Sequence, residues 1–211
     1  MRKTFLTIAV TAALSGAATY LATSWCTQTG LFEANTIRDG KLQAGAVHPW
    51  AKPLSVKGVE NLHQVSTNLY RGEQPSSAGY AGLKNLGIKT VINLRSEDDE
   101  GGLVRQAGLE YRHISMVAYR KPRDEQVVAF LKIVNNPANW PIFVHCQRGS
   151  DRTGTMCAVY RVFVEGWTRD EAIQEMTRGG FGYHSSFGDL TKYLREMDIE
   201  RIRRQSGVGG R

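Results

Sequence analysis

Cys146 and Arg152 stand with five residues between them, Gly149 lies inside that interval, and Thr153 follows directly: His145-Cys146-Gln147-Arg148-Gly149-Ser150-Asp151-Arg152-Thr153. These residue types at this spacing suit nucleophilic attack on a phosphate ester. A loop that joins a strand to a helix N-terminus turns successive backbone N–H groups inward and makes a concavity for an anion. Gly149 lets the backbone close with a φ that other residues resist. Arg152 offers a planar fork for two phosphoryl oxygens. The same N–H groups, the helix terminus and Arg152 favour the thiolate of Cys146, which is the nucleophilic form. Its attack forms a cysteinyl-phosphate that water later hydrolyses. The cradle matches the charge spread over the equatorial oxygens of the transition state. Gln147, Arg148, Ser150 and Asp151 complete the expected substrate-binding loop. Thr153 is expected to donate its hydroxyl to the sulfur, and His145 to orient the loop from below. A cysteine alone at a strand end reads as core. Joined to Gly149, Arg152 and Thr153 at these offsets, it reads as a nucleophile.

The surrounding pattern supplies the elements that must position such a loop. Pro141 introduces Ile142-Phe143-Val144, an apolar strand ending at His145-Cys146, and Thr153 to Glu165 reads as the helix that follows. Upstream, Leu62 to Tyr70 reads as a short strand or hairpin arm. Ser77 to Leu86 reads as a helix stopped by Gly87. Ile88 to Leu94 is a buried strand by its β-branched content, and Leu109 to Met116 is another. Asp124 can start a helix with Val127, Phe130, Leu131 and Val134 on its apolar face. Thr168 and Glu171 make a capping box, and one last amphipathic helix is expected over Phe187 to Arg204. Strands alternating with helices predict a three-layer α/β/α domain around a central, mostly parallel sheet. Sites in such folds lie beyond the carboxyl ends of the strands, where Cys146 falls.

Composition narrows the class. The 211 residues carry a net charge of +7 and a pI near 9.5, which favours anionic partners. No basic stretch interleaved with aromatics appears, so nucleic acid is excluded as the expected partner. Cys26, Cys146 and Cys157 form neither a disulfide framework nor a zinc pattern, so no metal or cofactor is expected. Arg2 and Lys3 precede an apolar, small-residue run, and no charge occurs from Thr4 through Phe32. Residues 1–25 therefore read as a signal peptide or signal-anchor, implying an exported, periplasmic or membrane-anchored protein, with membrane attachment through residues 4–25 as one form. Residues 26–58 read as an irregular extension, 59–204 as the domain and 205–211 as a flexible tail.

The motif HCQRGSDRTG at His145–Gly154 resembles the His-Cys-x5-Arg-Thr-Gly signature of the protein tyrosine and dual-specificity phosphatases. Leu69-Tyr70-Arg71-Gly72-Glu73-Gln74-Pro75 and Val91-Ile92-Asn93-Leu94-Arg95 are similar to the plant-and-fungi atypical dual-specificity branch. The resemblance spans most of residues 59–200. It implies a cysteine-phosphatase fold, no metal, and phosphomonoester hydrolysis through a cysteinyl-phosphate.

One departure concerns the general acid. Dual-specificity relatives place an aspartate on a separate upstream loop, but Ile114-Ser115-Met116-Val117-Ala118-Tyr119 holds no acid. Asp124, 22 residues before Cys146, could reach over the site or cap a helix. Asp151, inside the loop, resembles the loop aspartate of myotubularin-type and bacterial lipid phosphatases; its alternative is a bond to loop amides or an arginine. Asp151 is the favoured acid. Arg148 could meet a second phosphate or stand as a solvated charge. Arg71 and Arg95 read as structural ion pairs, with substrate contact the alternative, Ser96 to Glu100 as a solvated acidic loop, Tyr183 and His184 as a packed turn or a rim, and Cys157 as core, with a resolving thiol the alternative. The expected substrate is a phosphorylated protein, phosphotyrosine included. A phosphoinositide or inositol polyphosphate is the alternative, and a non-catalytic phosphate-binding module stands third.

Overall fold

A computed structural model describes residues 48–209 and, for the segment before them, the backbone of two short strands. Those strands, β1 (Asn35–Arg38) and β2 (Lys41–Ala44), pair antiparallel within a unit distinct from the compact one that begins at His48. The proposed export segment lies outside the described residues. Among the described residues no helix is long and apolar enough to cross a membrane.

The compact unit holds a six-stranded sheet in the order β3-β4-β5-β8-β6-β7. Its strands are β3 (Lys52–Pro53), β4 (His63–Gln64), β5 (Leu69–Gly72), β6 (Thr90–Asn93), β7 (Glu110–His113) and β8 (Ile142–His145). The pairs β5–β8, β8–β6 and β6–β7 are parallel, and β3 and β4 extend the β5 edge antiparallel. Alternation along a strand sends successive side chains to opposite faces. On β8, Ile142 and Val144 join the larger core while Phe143 joins the smaller, and on β6 Ile92 and Val91 divide the same way. Helices α1 (Ser77–Asn85) and α2 (Gly101–Gln106) cover the smaller core. The larger is covered by α3 (Asp124–Val134), α4 (Asp151–Phe163), α5 (Arg169–Arg178), α6 (Gly188–Glu196) and α7 (Ile199–Ser206). The architecture is the expected three-layer α/β/α.

Helix α4 runs up the middle of the larger layer with every residue from Arg152 to Phe163 buried. A helix without a polar face belongs inside a domain. The α5 capping box forms as expected, the Thr168 hydroxyl accepting from the Glu171 N–H and Glu171 reaching back to the Thr168 N–H. Leu86 ends α1 and Gly87 takes φ +92°, as the stop signal required.

Several boundaries differ from expectation. The domain begins at His48 rather than at residue 59, because Ala51 N–H donates to Glu175 Oε1 at 2.7 Å and His48 stacks on Trp167. The single terminal helix is two: Met197 leaves helical geometry, and Asp198 caps α7 by accepting from Arg201 N–H. The expected tail starts late, since α7 runs to Ser206 and Val208 is buried. Helix α4 starts at Asp151, two residues before the expected start. The short helix α2, directly after the acidic run, was not foreseen.

Candidate active site

The parallel register pairs Gly72 of β5 and Asn93 of β6 with His145 of β8, so β8 delivers Cys146 at the carboxyl edge of the sheet's centre. The loop then closes against β5. Gly149 has φ +68°, and a Cβ there would lie 2.4 Å from both C and O of Gly72. Both facts exclude a side chain. A loop whose N–H groups turn inward turns its carbonyls outward, and these need donors. Buried Arg71 supplies them: Nη2 donates to Gly149 O at 2.6 Å, with the guanidinium 3.8 Å above the Phe181 ring centroid. Arg71 was expected in an ion pair; its partners here are loop carbonyls. Asn61 Nδ2 donates to Arg148 O and to Phe181 O, both at 3.0 Å, tying the loop to the segment after α5. Gln74 N–H reaches Gln147 O at 3.4 Å, and Ser150 Oγ donates to Arg148 O at 3.3 Å.

Cys146 is buried beneath this cradle, 3% exposed. Arg152 Nη1 donates to Met116 O at 3.2 Å and Leu94 O at 3.4 Å, carbonyls just beyond β7 and β6. These bonds anchor one corner of the guanidinium. No protein bond among the described residues uses its Nε or Nη2, the edge a phosphoryl group would take. Thr153 Oγ1 is buried with no hydrogen-bond partner, so its expected bond to the sulfur is not formed here.

Under the loop lies Glu100, the last residue of the acidic run. It is 2% exposed, so the expected solvated loop ends in a buried carboxylate. Oε2 accepts from Tyr80 Oη and Gln74 Nε2, both at 2.9 Å, and Oε1 lies 2.8 Å from His145 Nε2. His145 Nδ1 faces Cys146 O at 3.2 Å. His145 thus sits below the loop as expected, held by a carboxylate that sequence reasoning placed in solvent. Burial alone would raise the Glu100 pKa; its bonds from His145, Tyr80 and Gln74 bring it below the ordinary value. Arg95 forms its expected ion pairs, with Asp99 at 2.7 Å and Glu97 at 3.5 Å.

The two candidate acids lie in different surroundings. Asp151, in the first turn of α4, accepts from His184 N–H at 2.9 Å through Oδ1 and meets His184 Nδ1 at 2.8 Å through Oδ2. Its partner is this histidine rather than a loop amide or an arginine. Asp124 is the first residue of α3, not its cap, which is Arg123. Its carboxylate accepts from Tyr193 Oη at 2.8 Å and pairs with Arg201. It lines a cavity with Arg120, Lys121 and Lys192 in which no loop residue takes part. A separate cleft of about 390 Å³ is bounded by Arg148, Ser150, Asn61, Glu73, Phe181 and His184. Arg148 Nη1 stands 3.4 Å from His184 Nε2. Asn61 was not foreseen as a site residue, and of the two readings given to His184, packed turn or rim, the cleft lining favours the rim. A non-glycine at φ +53°, as Asn61 is, shows itself only in coordinates. Cys157 is core, as expected, and burial pushes its thiol pKa up to about 11. No cluster able to hold a metal ion occurs among the described residues.

Comparison with known proteins agrees with this geometry. The family described as DSP-PTPase phosphatase fused to NAD+ kinase matches residues 47–188. Dual specificity protein phosphatase TpbA of Pseudomonas aeruginosa is 33% identical over 167 residues, 78% of this chain and 76% of its own. The crystal structure of P. aeruginosa TpbA with its cysteine replaced by serine, in complex with pTyr, has a TM-score of 0.66 at 30% identity. It covers 78% of this chain and 99% of that one. Inositol diphosphatase SIW14 of Saccharomyces cerevisiae is 27% identical over 153 residues, 69% of this chain and 53% of its own. With the strand-to-helix loop of Cys146 and Arg152 at its centre, the chain belongs to the dual-specificity and tyrosine phosphatase family and is a cysteine-based phosphatase.

Proposed function

We propose that this phosphatase acts on phosphorylated protein, phosphotyrosine included, with Cys146 as nucleophile and Arg152 binding the phosphoryl oxygens through Nε and Nη2. The single observation that carries the reading is the closure of the loop on β5 at Gly149, which leaves the Cys146 sulfur at the floor of a cradle with one guanidinium edge open. Backbone N–H groups of residues 147–152 bind the remaining phosphoryl oxygen. Thr153 Oγ1, buried and without a partner among the described residues, turns to donate to the departing thiolate when the cysteinyl-phosphate breaks. His145 and Glu100 fix the cradle from beneath. Of the two candidate aspartates, Asp151 rather than Asp124 supports proton transfer, through the histidine it holds, since the Asp124 carboxylate is bound to Tyr193 and Arg201 in a cavity that no loop residue lines.

A second reading, an inositol polyphosphate or phosphoinositide as substrate, is favoured by Arg148 beside the cleft and by the +7 charge. The likeness to an inositol diphosphatase supports it too. Export through residues 1–25 is also proposed, on the basic pair before the apolar run; N-terminal sequencing of the protein from fractionated cells tests it.

Assay of the full-length chain on p-nitrophenyl phosphate, a phosphotyrosine peptide, a phosphoinositide and phytate separates the readings. The peptide is expected to give the highest kcat/KM. Preference for phytate or phosphoinositide selects the second reading, and no turnover of any of the four returns the loop to a binding role.

A further inference from the structure

The reaction needs a proton at the leaving oxygen, because an alkoxide leaves poorly from phosphorus. Ile114 to Tyr119, where the family resemblance leads one to expect an acid, holds none, and Asp124 is occupied elsewhere. At the loop, both oxygens of Asp151 are spent on a single residue: one accepts the His184 backbone N–H, the other faces Nδ1 of the same ring. Since a carboxylate only accepts, Nδ1 carries a proton and Nε2 is the ring atom left to exchange one. That atom stands 3.4 Å from Nη1 of Arg148, a loop side chain that only donates, so Nε2 is the acceptor in this structure. The imidazole is 39% exposed, whereas the Asp151 side chain is 14% exposed. His184 thus opens onto the cleft and Asp151 stands behind it. The histidine is held in place: Asn61 ties Phe181 to the loop, and the ring packs on Phe187 at 5.6 Å. A carboxylate behind a histidine fixes its tautomer and stabilises the imidazolium that forms in turnover.

We propose that His184, backed by Asp151, is the proton-transfer residue of this phosphatase; the proposal rests on the cysteine-phosphatase reading above. In the first half-reaction the sulfur–phosphorus bond forms while the bond from phosphorus to the leaving oxygen breaks. The electron pair goes to that oxygen, which takes the proton from Nε2 of the His184 imidazolium. In the second, water adds to phosphorus and the sulfur–phosphorus bond breaks, its electron pair returning to sulfur. The water's proton goes to Nε2, restoring the imidazolium. The charged groups facing the ring are Asp151, Arg148 and, across the cleft, Glu73.

The test is the dependence of rate on leaving group. For His184→Gln, kcat on an alkyl phosphate is expected to fall by about 10²-fold or more, the usual worth of general acid catalysis. On p-nitrophenyl phosphate, whose leaving group needs no acid, the loss stays within about tenfold. The basic limb of the pH–rate profile on the alkyl substrate should flatten, and free imidazole should partly restore turnover to His184→Ala. Asp151→Asn should show the same selectivity. Equal losses on both substrates would mean a merely structural clamp and overturn the proposal, as would leaving-group selectivity in Glu73→Gln but not in His184→Gln. Absence of p-nitrophenyl phosphate turnover in the unaltered protein would instead remove the phosphatase reading beneath it.

Discussion

Two cysteines on one helix–loop unit are expected to behave oppositely, and the difference is one of environment. Cys146 stands at the start of the loop that closes on β5 at Gly149, while Cys157 lies wholly inside the core with its thiol pKa pushed up to about 11. At neutral pH, iodoacetamide should therefore label Cys146 and leave Cys157 untouched in the folded protein, as peptide mapping would reveal. The raised value also has a consequence for stability. A thiol that ionises less readily folded than unfolded favours the native state below about pH 8.5, the unfolded value, and loses that contribution as pH rises toward 11. Replacing the nucleophile, Cys146→Ser, or the fork, Arg152→Ala, is expected to abolish turnover. The serine variant should melt close to the unaltered protein, because the change removes chemistry and little packing. Loss of folding in that variant would place Cys146 among the structural residues.

At the level of elements, the cradle is held by β5 from one side and by the Glu100 network from below. Gly149→Ala must move the Gly72 backbone, which lies 2.4 Å from the added Cβ. Displacement of the loop by even about 1 Å should cost about 10²-fold in kcat on p-nitrophenyl phosphate. Glu100 is a depressed carboxylate, so its contribution to stability is fully present above about pH 4.3 and is lost as pH falls through the lower folded value. Melting curves of the unaltered protein and Glu100→Gln should differ by a constant amount above pH 5 or so and converge in more acid solution. A gap that widens on acidification would show that the carboxylate is protonated in the native state. The strand–loop–helix unit could be read in the sequence because Ile142-Phe143-Val144 and the Gly149, Arg152 and Thr153 offsets are all local. The partners of that loop could not. Arg71 acts on Gly149 only because parallel pairing sets Gly72 beside His145, 73 residues away.

For the molecule as a whole, the buried pair Arg161–Glu175 joins α4 to α5 and reaches further. Arg161 donates to Glu175 at 2.8 and 2.6 Å and to Val65 O at 3.0 Å, and Glu175 also accepts from Ala51 N–H. Both side chains are nearly excluded from solvent. Removing Glu175 leaves the buried Arg161 with the partly exposed Glu165 as its one carboxylate partner among the described residues, at a cost of about 3 kcal/mol, the low end for a broken buried pair. Glu175→Ala is therefore expected to lower the melting temperature by about 10 °C. Melting within a degree or two of the unaltered protein would show that water reaches Arg161. The same pair explains why the domain begins at His48: a segment with little periodicity of its own is held by a buried carboxylate 124 positions later.

Residue type and near-neighbour spacing were enough to propose the nucleophile and its arginine and to place the glycine turn, the capping box at Thr168 and the alternation of strands and helices. Each is a property of a few consecutive residues and their backbone preferences. Only the folded chain decided that Glu100 is buried, that Arg71 serves carbonyls, that Asp124 belongs to Tyr193 and Arg201, and that His184 stands at Asp151. Those facts follow from which faces the layered sheet brings together, and contacts between residues 20 to 79 positions apart leave no periodic trace in the chain.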